Sequence, residues 1–155
     1  MRKITRRVSA LSDSHDRSPR LVIDAVGFVR ALINPRSAWG TIVFIHSDDY
    51  VVVMSDELEY EIRDVLARPR ISRKFDALSE ALVVVLNTTI QEAERVMLGE
   101  IPQVCRDPND DKVLATALAG NADFIATEDN DLLDMGAYEG IRIVNGLELL
   151  RVLRS

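Results

Sequence analysis

One cysteine in 155 residues leaves no partner for an internal disulfide, and Cys105 fits a reducing cytoplasm, where it reads as a small packing residue. Only two histidines are present, His15 and His46. Neither has an acid at a recognisable spacing, so both read as surface residues. Long apolar runs are missing as well. The longest, Ala81 to Leu86, has six residues, against the roughly 20 that a membrane span needs. The basic N-terminus lacks an apolar stretch of signal-peptide type, because Asp24 interrupts the first hydrophobic segment. Excess positive charge is absent too. A net charge of −6 argues against a broad nucleic-acid-binding surface, though not against a local basic patch.

What is present describes one globular domain: 47% hydrophobic and 28% charged residues, with enough chain for a real core. The charge is uneven. Residues 1–20 carry six Arg/Lys against two Asp, a net of +4, which leaves −10 for the rest. This serine-rich segment has almost no apolar periodicity and is expected to be a flexible basic arm, with the folded domain at 21–155.

Within the domain, Leu21 to Asp24 predicts a short buried strand, and Val26 to Ile33 a helix stopped by Asn34-Pro35. Ser37 to Ser47 predicts a second short helix that turns Trp39, Ile42, Val43 and Phe44 inward. Tyr50 to Met54 is a strand, and Ser55 caps a helix running to Leu66. Arg68 to Lys74 reads as a break with four positive side chains and no negative one. Helices are expected over Phe75–Leu86 and Thr89–Leu98. The stretch from Cys105 to Asp131 is the most informative. Asp107 suits an N-cap, Pro108 the first helical position, and Asp110 the partner position of a capping box. Val113, Leu114, Ala117 and Leu118 recur at helical spacing, and Gly120 ends the helix. Asp123 to Thr127 is a buried strand ending in Glu128, Asp129, Asn130 and Asp131. Ile141–Val144 and Leu147–Leu153 add a last strand and helix. This alternation predicts an α/β domain, a central parallel sheet of four to five strands with helices on both faces.

That scaffold brings carboxylates to one edge of the sheet. Asp24 ends the first strand; Glu57 and Glu61 lie four apart on one helix face; Asp110 and Asp111 open the central helix; Asp129 and Asp131 follow its strand. Two carboxylates about 4 Å apart repel by roughly 4 kcal/mol at an effective dielectric near 20. Such a cluster calls for a cation or raised pKa values. Oxygen ligands without His or Cys select Mg²⁺ or Mn²⁺, which activates water and steadies charge in phosphodiester cleavage. Simpler roles compete for several of these residues. Asp107 and Asp110 suit caps, Glu57 complements a helix dipole, and Asp131 suits a cap of the turn at Leu132-Leu133. Asp24, ending a buried strand, has no local capping role on this reading. Arg63 and the run Arg68, Arg70, Arg73 and Lys74 are candidate phosphate contacts.

Four segments, LVIDAVGFVRALINP, VVVMSDELEYEIRDVLARPRI, CRDPNDDKVLATALAGNADFIATEDNDLL and GIRIVNGLELL, resemble the PIN-domain ribonucleases over Leu21 to Leu150. Within that family the likeness is to the putative toxin components of toxin–antitoxin systems, relatives of the VapBC-type toxins. The resemblance implies metal-dependent RNA cleavage with Mg²⁺ or Mn²⁺ held by Asp24, Glu61, Asp111 and Asp129, with Asp131 in support. It also implies a homodimer and a cognate antitoxin protein that covers the site. One departure stands out: Asp24-Ala25-Val26 replaces the family's Asp-Thr-Asn. Losing hydrogen-bonding groups beside a ligand typically costs about 10- to 100-fold in affinity or activity. The alternative is therefore a catalytically degenerate PIN module acting through protein or RNA binding. A phospho-acceptor or phosphatase domain is disfavoured, because no Asp-x-Asp follows Asp24 and no lysine is well placed at a late strand end.

Overall fold

The computed structural model of the protein describes residues 17–73 and 80–155. Six strands form one sheet: β1 (Arg20–Ile23), β2 (Val51–Met54), β3 (Glu94–Arg95), β4 (Phe124–Ala126), β5 (Ala137–Tyr138) and β6 (Ile141–Val144), in the order β3-β2-β1-β4-β6-β5. All neighbours are parallel except β5, which runs antiparallel to β6. The four inner strands are the four that the apolar pattern predicts. The two edge strands have two residues each, too few to leave a periodic signal. β3 falls inside the stretch expected to be helical, and β5 joins β6 through Glu139 and Gly140, both at positive φ as a tight hairpin requires.

Helices flank the sheet: α1 (Ala25–Ile33), α2 (Ala38–Gly40, continuing into a π-helical turn at Thr41–Ile45), α3 (Asp56–Ala67), α4 (Pro69–Ser72), α5 (Glu80–Glu92), α6 (Pro108–Ala119), α7 (Asn130–Leu133) and α8 (Gly146–Arg154). Their starts are chemically specified. The Ser37 and Ser55 hydroxyls accept from Gly40 and Leu58 N–H at 3.2 and 3.1 Å, and Asn145 with Glu148 closes a capping box before α8. Three boundaries differ from expectation. The Arg68–Lys74 break contains the helical turn α4, because Pro69 suits a first helical position. One helix spans Glu80–Glu92 where two were expected to meet, and the start expected for the first lies outside the described residues. Arg20, assigned to the basic arm, begins β1. Its guanidinium donates to the Gly120 carbonyl at 2.7 and 3.0 Å and pairs with Glu94. No described helix is long and apolar enough to cross a membrane.

The core lies on both faces of the sheet: Leu21, Ile23 and Met54, and on the other face Val22 and Ile125, are fully buried together with Phe28, Ile62, Leu114 and Leu149 of the helices. Trp39 is wedged between two helices. A Cβ on Gly27 of α1 or on Gly146 of α8 would lie 2.7 or 2.8 Å from its ring. Gly120 does end α6, but its φ of −95° is ordinary, and the left-handed residue is Asn121 at 50°. Glycine is required at 120 for space, since a Cβ there would stand 2.2 Å from Val53 Cγ1. Gly120→Ala should therefore destabilise the domain by about 1–3 kcal/mol through overpacking. Val53→Ala in the same chain should return part of that loss, a coupling readable in a denaturant double-mutant cycle. Strictly additive losses would show that no such contact exists.

Candidate metal centre

The site begins with a register. β1 pairs with β4 so that Ile23 faces Ala126, and the Asp24 N–H donates to the Ala126 carbonyl at 3.2 Å. The residues just beyond both strands, Asp24 and Thr127, therefore meet. Contrary to the sequence reading, Asp24 does cap: its Oδ1 accepts from Gly27 N–H at 3.2 Å, at the start of α1. Its Oδ2 accepts from the hydroxyl of Thr127. That hydroxyl, fully buried, also accepts from Asp129 N–H at 3.0 Å, so one side chain ties the first acid to the loop carrying the last. Burial pushes the Asp24 carboxyl above its ordinary range, the Thr127 and Gly27 hydrogen bonds oppose this, and the charge of Asp129 adds to it.

Asp129, not Asp131, caps the short helix α7, accepting from Asp131 N–H at 2.9 Å. Asp131 instead accepts from Arg106 at 2.5 Å. At the other junction Asp107 caps α6, accepting from Asn109 N–H at 2.9 Å, with Pro108 in the first helical position. Asp110 closes no capping box. It turns to Asp129, and burial, the hydrogen bond with Asp129 and the charges of Asp129, Asp107 and Asp24 push its carboxyl up to about 8. Its Oδ2 is buried, and no donor among the described residues reaches it. Carboxylate oxygens of Asp110, Asp129 and Asp131 lie within 4.8 Å of one another.

Asp111, the neighbour read as the helix acid, points elsewhere. Its Oδ1 accepts from Val104 and Cys105 N–H at 3.0 and 2.8 Å, pinning the loop that enters α6. Desolvation pushes its carboxyl up, but these two donors prevail and hold it below the usual carboxylate range. Burial, then the hydrogen bond and charge of Asp111, push the Cys105 thiol up to about 12, which suits a packing residue and not a nucleophile.

A cleft of about 430 Å³ opens above the strand ends. Asp24, Glu61, Asp110 and Asp129 line it, as do Glu128, Val26 and Val113; Glu57 and Asp111 do not. Of the basic candidates, Arg68 lines the cleft, pairing with Asp64 at 3.2 Å. Arg63 is turned to Glu59 and Asn87 at 2.7 and 2.9 Å. Arg70 and Arg73 are exposed on or beside α4, and Lys74 lies outside the described residues. Arg30 of α1, not anticipated from the sequence, lines the cleft as well.

The donor set fits a hard divalent cation. All its atoms are oxygens, and the orphaned Asp110 Oδ2 is the buried lone pair that a cation would satisfy. A PIN domain profile matches residues 20–131, which hold every acid of the cleft. The chain belongs to the PIN domain family. PIN domains are generally nucleases and generally use divalent metals. The crystal structure of PAE2754 from Pyrobaculum aerophilum superposes with a TM-score of 0.56 at 17% identity, covering 88% of this chain and 90% of that one, a likeness of fold alone. A comparison with curated proteins gives no significant match.

The raised carboxyls of this PIN domain set the sign of its pH dependence. A carboxyl whose pKa is higher folded than unfolded costs stability as pH rises through the interval between the two values. For Asp110 that interval runs from 3.8 to about 8, and Asp24 contributes in the same direction. Metal-free protein should melt at a higher temperature at pH 5 than at pH 8. Asp110→Asn should raise the pH 8 value by about 3 °C and flatten the slope. Mg²⁺ should stabilise the natural protein at pH 8 and not the variant. Calorimetry with and without EDTA reads all three.

Proposed function

We propose that this PIN domain is a Mg²⁺- or Mn²⁺-dependent endoribonuclease and the toxin of a toxin–antitoxin pair. Its cation would be held by Asp24, Asp110 and Asp129, with Glu61 across the cleft and Asp131 in support. The observation that carries this reading is the clustering of buried Asp110 with Asp129 and Asp131, carboxylate oxygens within 4.8 Å of one another, at an acid-lined cleft where no described donor reaches Asp110 Oδ2. When bound, the cation supplies a Lewis acid and an activated water for phosphodiester hydrolysis. The chain's own groups do the rest. Thr127 and Gly27 fix the Asp24 carboxylate, the Asp107 cap fixes the start of α6, and Arg68 and Arg30 offer charge to a phosphate at the rim. Asp110 replaces Asp111 as the helix acid in this assignment. The antitoxin and the homodimer rest on the likeness to toxin components, and the exposed Tyr60, Val84 and Val85 of α3 and α5 support a protein contact.

A second reading, a degenerate module, is favoured by the apolar Ala25 and Val26 in the cleft wall. Thr127 weighs against it, because it supplies from across the sheet a hydroxyl that Ala25 lacks.

The test is cleavage of labelled single-stranded and structured RNAs with Mn²⁺, Mg²⁺ or EDTA. Ion-dependent cutting should fall about 100-fold or more in Asp110→Asn. Asp111→Asn should keep turnover within about threefold while melting several degrees lower, because it loosens only the loop at 104–105. The reverse pattern would return Asp111 to the metal site. Absent cutting with Mg²⁺-dependent stabilisation intact, and a large gain in Ala25→Thr/Val26→Asn, would establish the degenerate module.

A further inference from the structure

Glu128 lines the cleft beside Asp129 but belongs to none of the acid clusters so far described. Its Oε2 accepts two hydrogen bonds, from Trp39 Nε1 at 2.9 Å and from Gly146 N–H at 3.0 Å. The second donor is the first helical residue of α8, where the helix dipole favours a negative charge. Trp39 itself is 3% exposed and has no room to move. Gly27 of α1 and Gly146 of α8 press on its ring so closely that a Cβ on either would stand 2.7 or 2.8 Å from it. Gly27 is also the residue whose N–H holds Asp24. One indole thus underlies both halves of the site. It packs against the residue whose N–H donates to the first acid, and it holds the side chain adjacent in sequence to Asp129.

We infer that Glu128, clamped by Trp39 and the N-terminus of α8, is a positioning residue that sets the strand-end loop 127–131 and so aims Asp129 into the cleft. The inference rests on the proposed metal-dependent reading for its functional consequence, not for its geometry. Thr127 holds the near end of this loop through its buried hydroxyl, and Arg106 holds Asp131 at the far end. Between them, two N–H bonds to one carboxylate, from a buried indole and a helix N-terminus, add a constraint next to Asp129. The fixed role is hydrogen-bond acceptance, so a neutral amide oxygen at the same place should serve nearly as well as the carboxylate.

The experiment compares Glu128→Ala, Glu128→Gln and Trp39→Phe in the full chain. Hydrogen exchange of residues 127–131 is followed without metal, and MgCl₂ is titrated by calorimetry. Glu128→Ala should lose about tenfold of exchange protection in that loop and weaken Mg²⁺ binding by about 10- to 100-fold. Glu128→Gln should restore both to near the natural values. Trp39→Phe, which keeps most of the ring and removes one donor, should fall between. Because Trp39 is the sole tryptophan, Mg²⁺ should also shift its emission in the natural protein and in Glu128→Gln, and not in Asp110→Asn. Exchange in Glu128→Ala equal to that of the natural chain would overturn the proposal. So would a Gln variant as impaired as the Ala variant, since the charge and not the acceptor would then be acting. If Mg²⁺ binds none of the chains, the metal-dependent reading falls, while the exchange data still decide whether Glu128 sets the loop.

Discussion

The parallel pairing of β1 with β4 is the constraint on which the site depends. With Ile23 opposite Ala126, both strands stop at the same height, and the residues that follow are forced together. Val22 is as fully buried as Leu21 and Ile23, so both faces of β1 are covered, and a slip of one residue would set every side chain of the strand against the wrong layer. The register is therefore fixed by the core, and the meeting of Asp24 with Thr127 is its by-product. The strand order places this meeting where the chain has gone out through β2 and β3 on one side and returned through β4 on the other. Open parallel sheets bind ligands at that kind of reversal.

Crowding of like charge follows from that geometry, and the protein handles it unequally. Asp24 is anchored by one hydroxyl and one backbone N–H, Asp111 by two backbone N–H groups, and Asp131 by an exposed arginine. Asp110 has none of these. Facing Asp129 in a buried position, it relieves the repulsion by holding its proton to about pH 8. Its unsatisfied Oδ2 is a cost that a folded domain carries only where something else meets it.

Much of this was legible in the chain. Buried apolar runs marked the four inner strands, and Asp107-Pro108, Ser55 and Ser37 marked helix starts. Asp24, Glu61 and Asp129 were brought to one crevice by alternation alone. What escaped has physical reasons. Two-residue edge strands carry no period. The choice between Asp110 and Asp111 turns on a rotation of about 100° per residue around α6. Three residues after Asp111 stands Leu114, wholly buried against the sheet, whereas three after Asp110 stands Val113, in the cleft wall. That i, i+3 relation was a usable signal, but the partners of Asp111 are backbone groups of a preceding loop, which leave no trace in side-chain pattern. Thr127 was invisible for a similar reason. Its partner is 103 residues away, and only the strand register joins them.

Thr127 also changes the weight of the departure at Ala25-Val26. A hydroxyl next to the first acid in sequence and a hydroxyl across the sheet can reach the same carboxylate, because in a parallel pair the two positions are neighbours in space. Here the cross-strand group holds Asp24 and, through Asp129 N–H, the last acid as well. A local substitution at 25 thus removes one partner from a carboxylate that keeps two others. What Ala25 and Val26 do alter is the wall of the cleft, which becomes apolar between Asp24 and Arg30. For a polyanion approaching a protein of net charge −6, attraction must be local, since exposed charges beyond about 8 Å are screened at physiological ionic strength. A cation held as proposed, together with the two arginines lining the cleft, would supply positive charge at that range. On the proposed reading, a backbone phosphate would be gripped by them, while the apolar wall favours contact with a base or sugar and places the departure in substrate choice, not in metal binding.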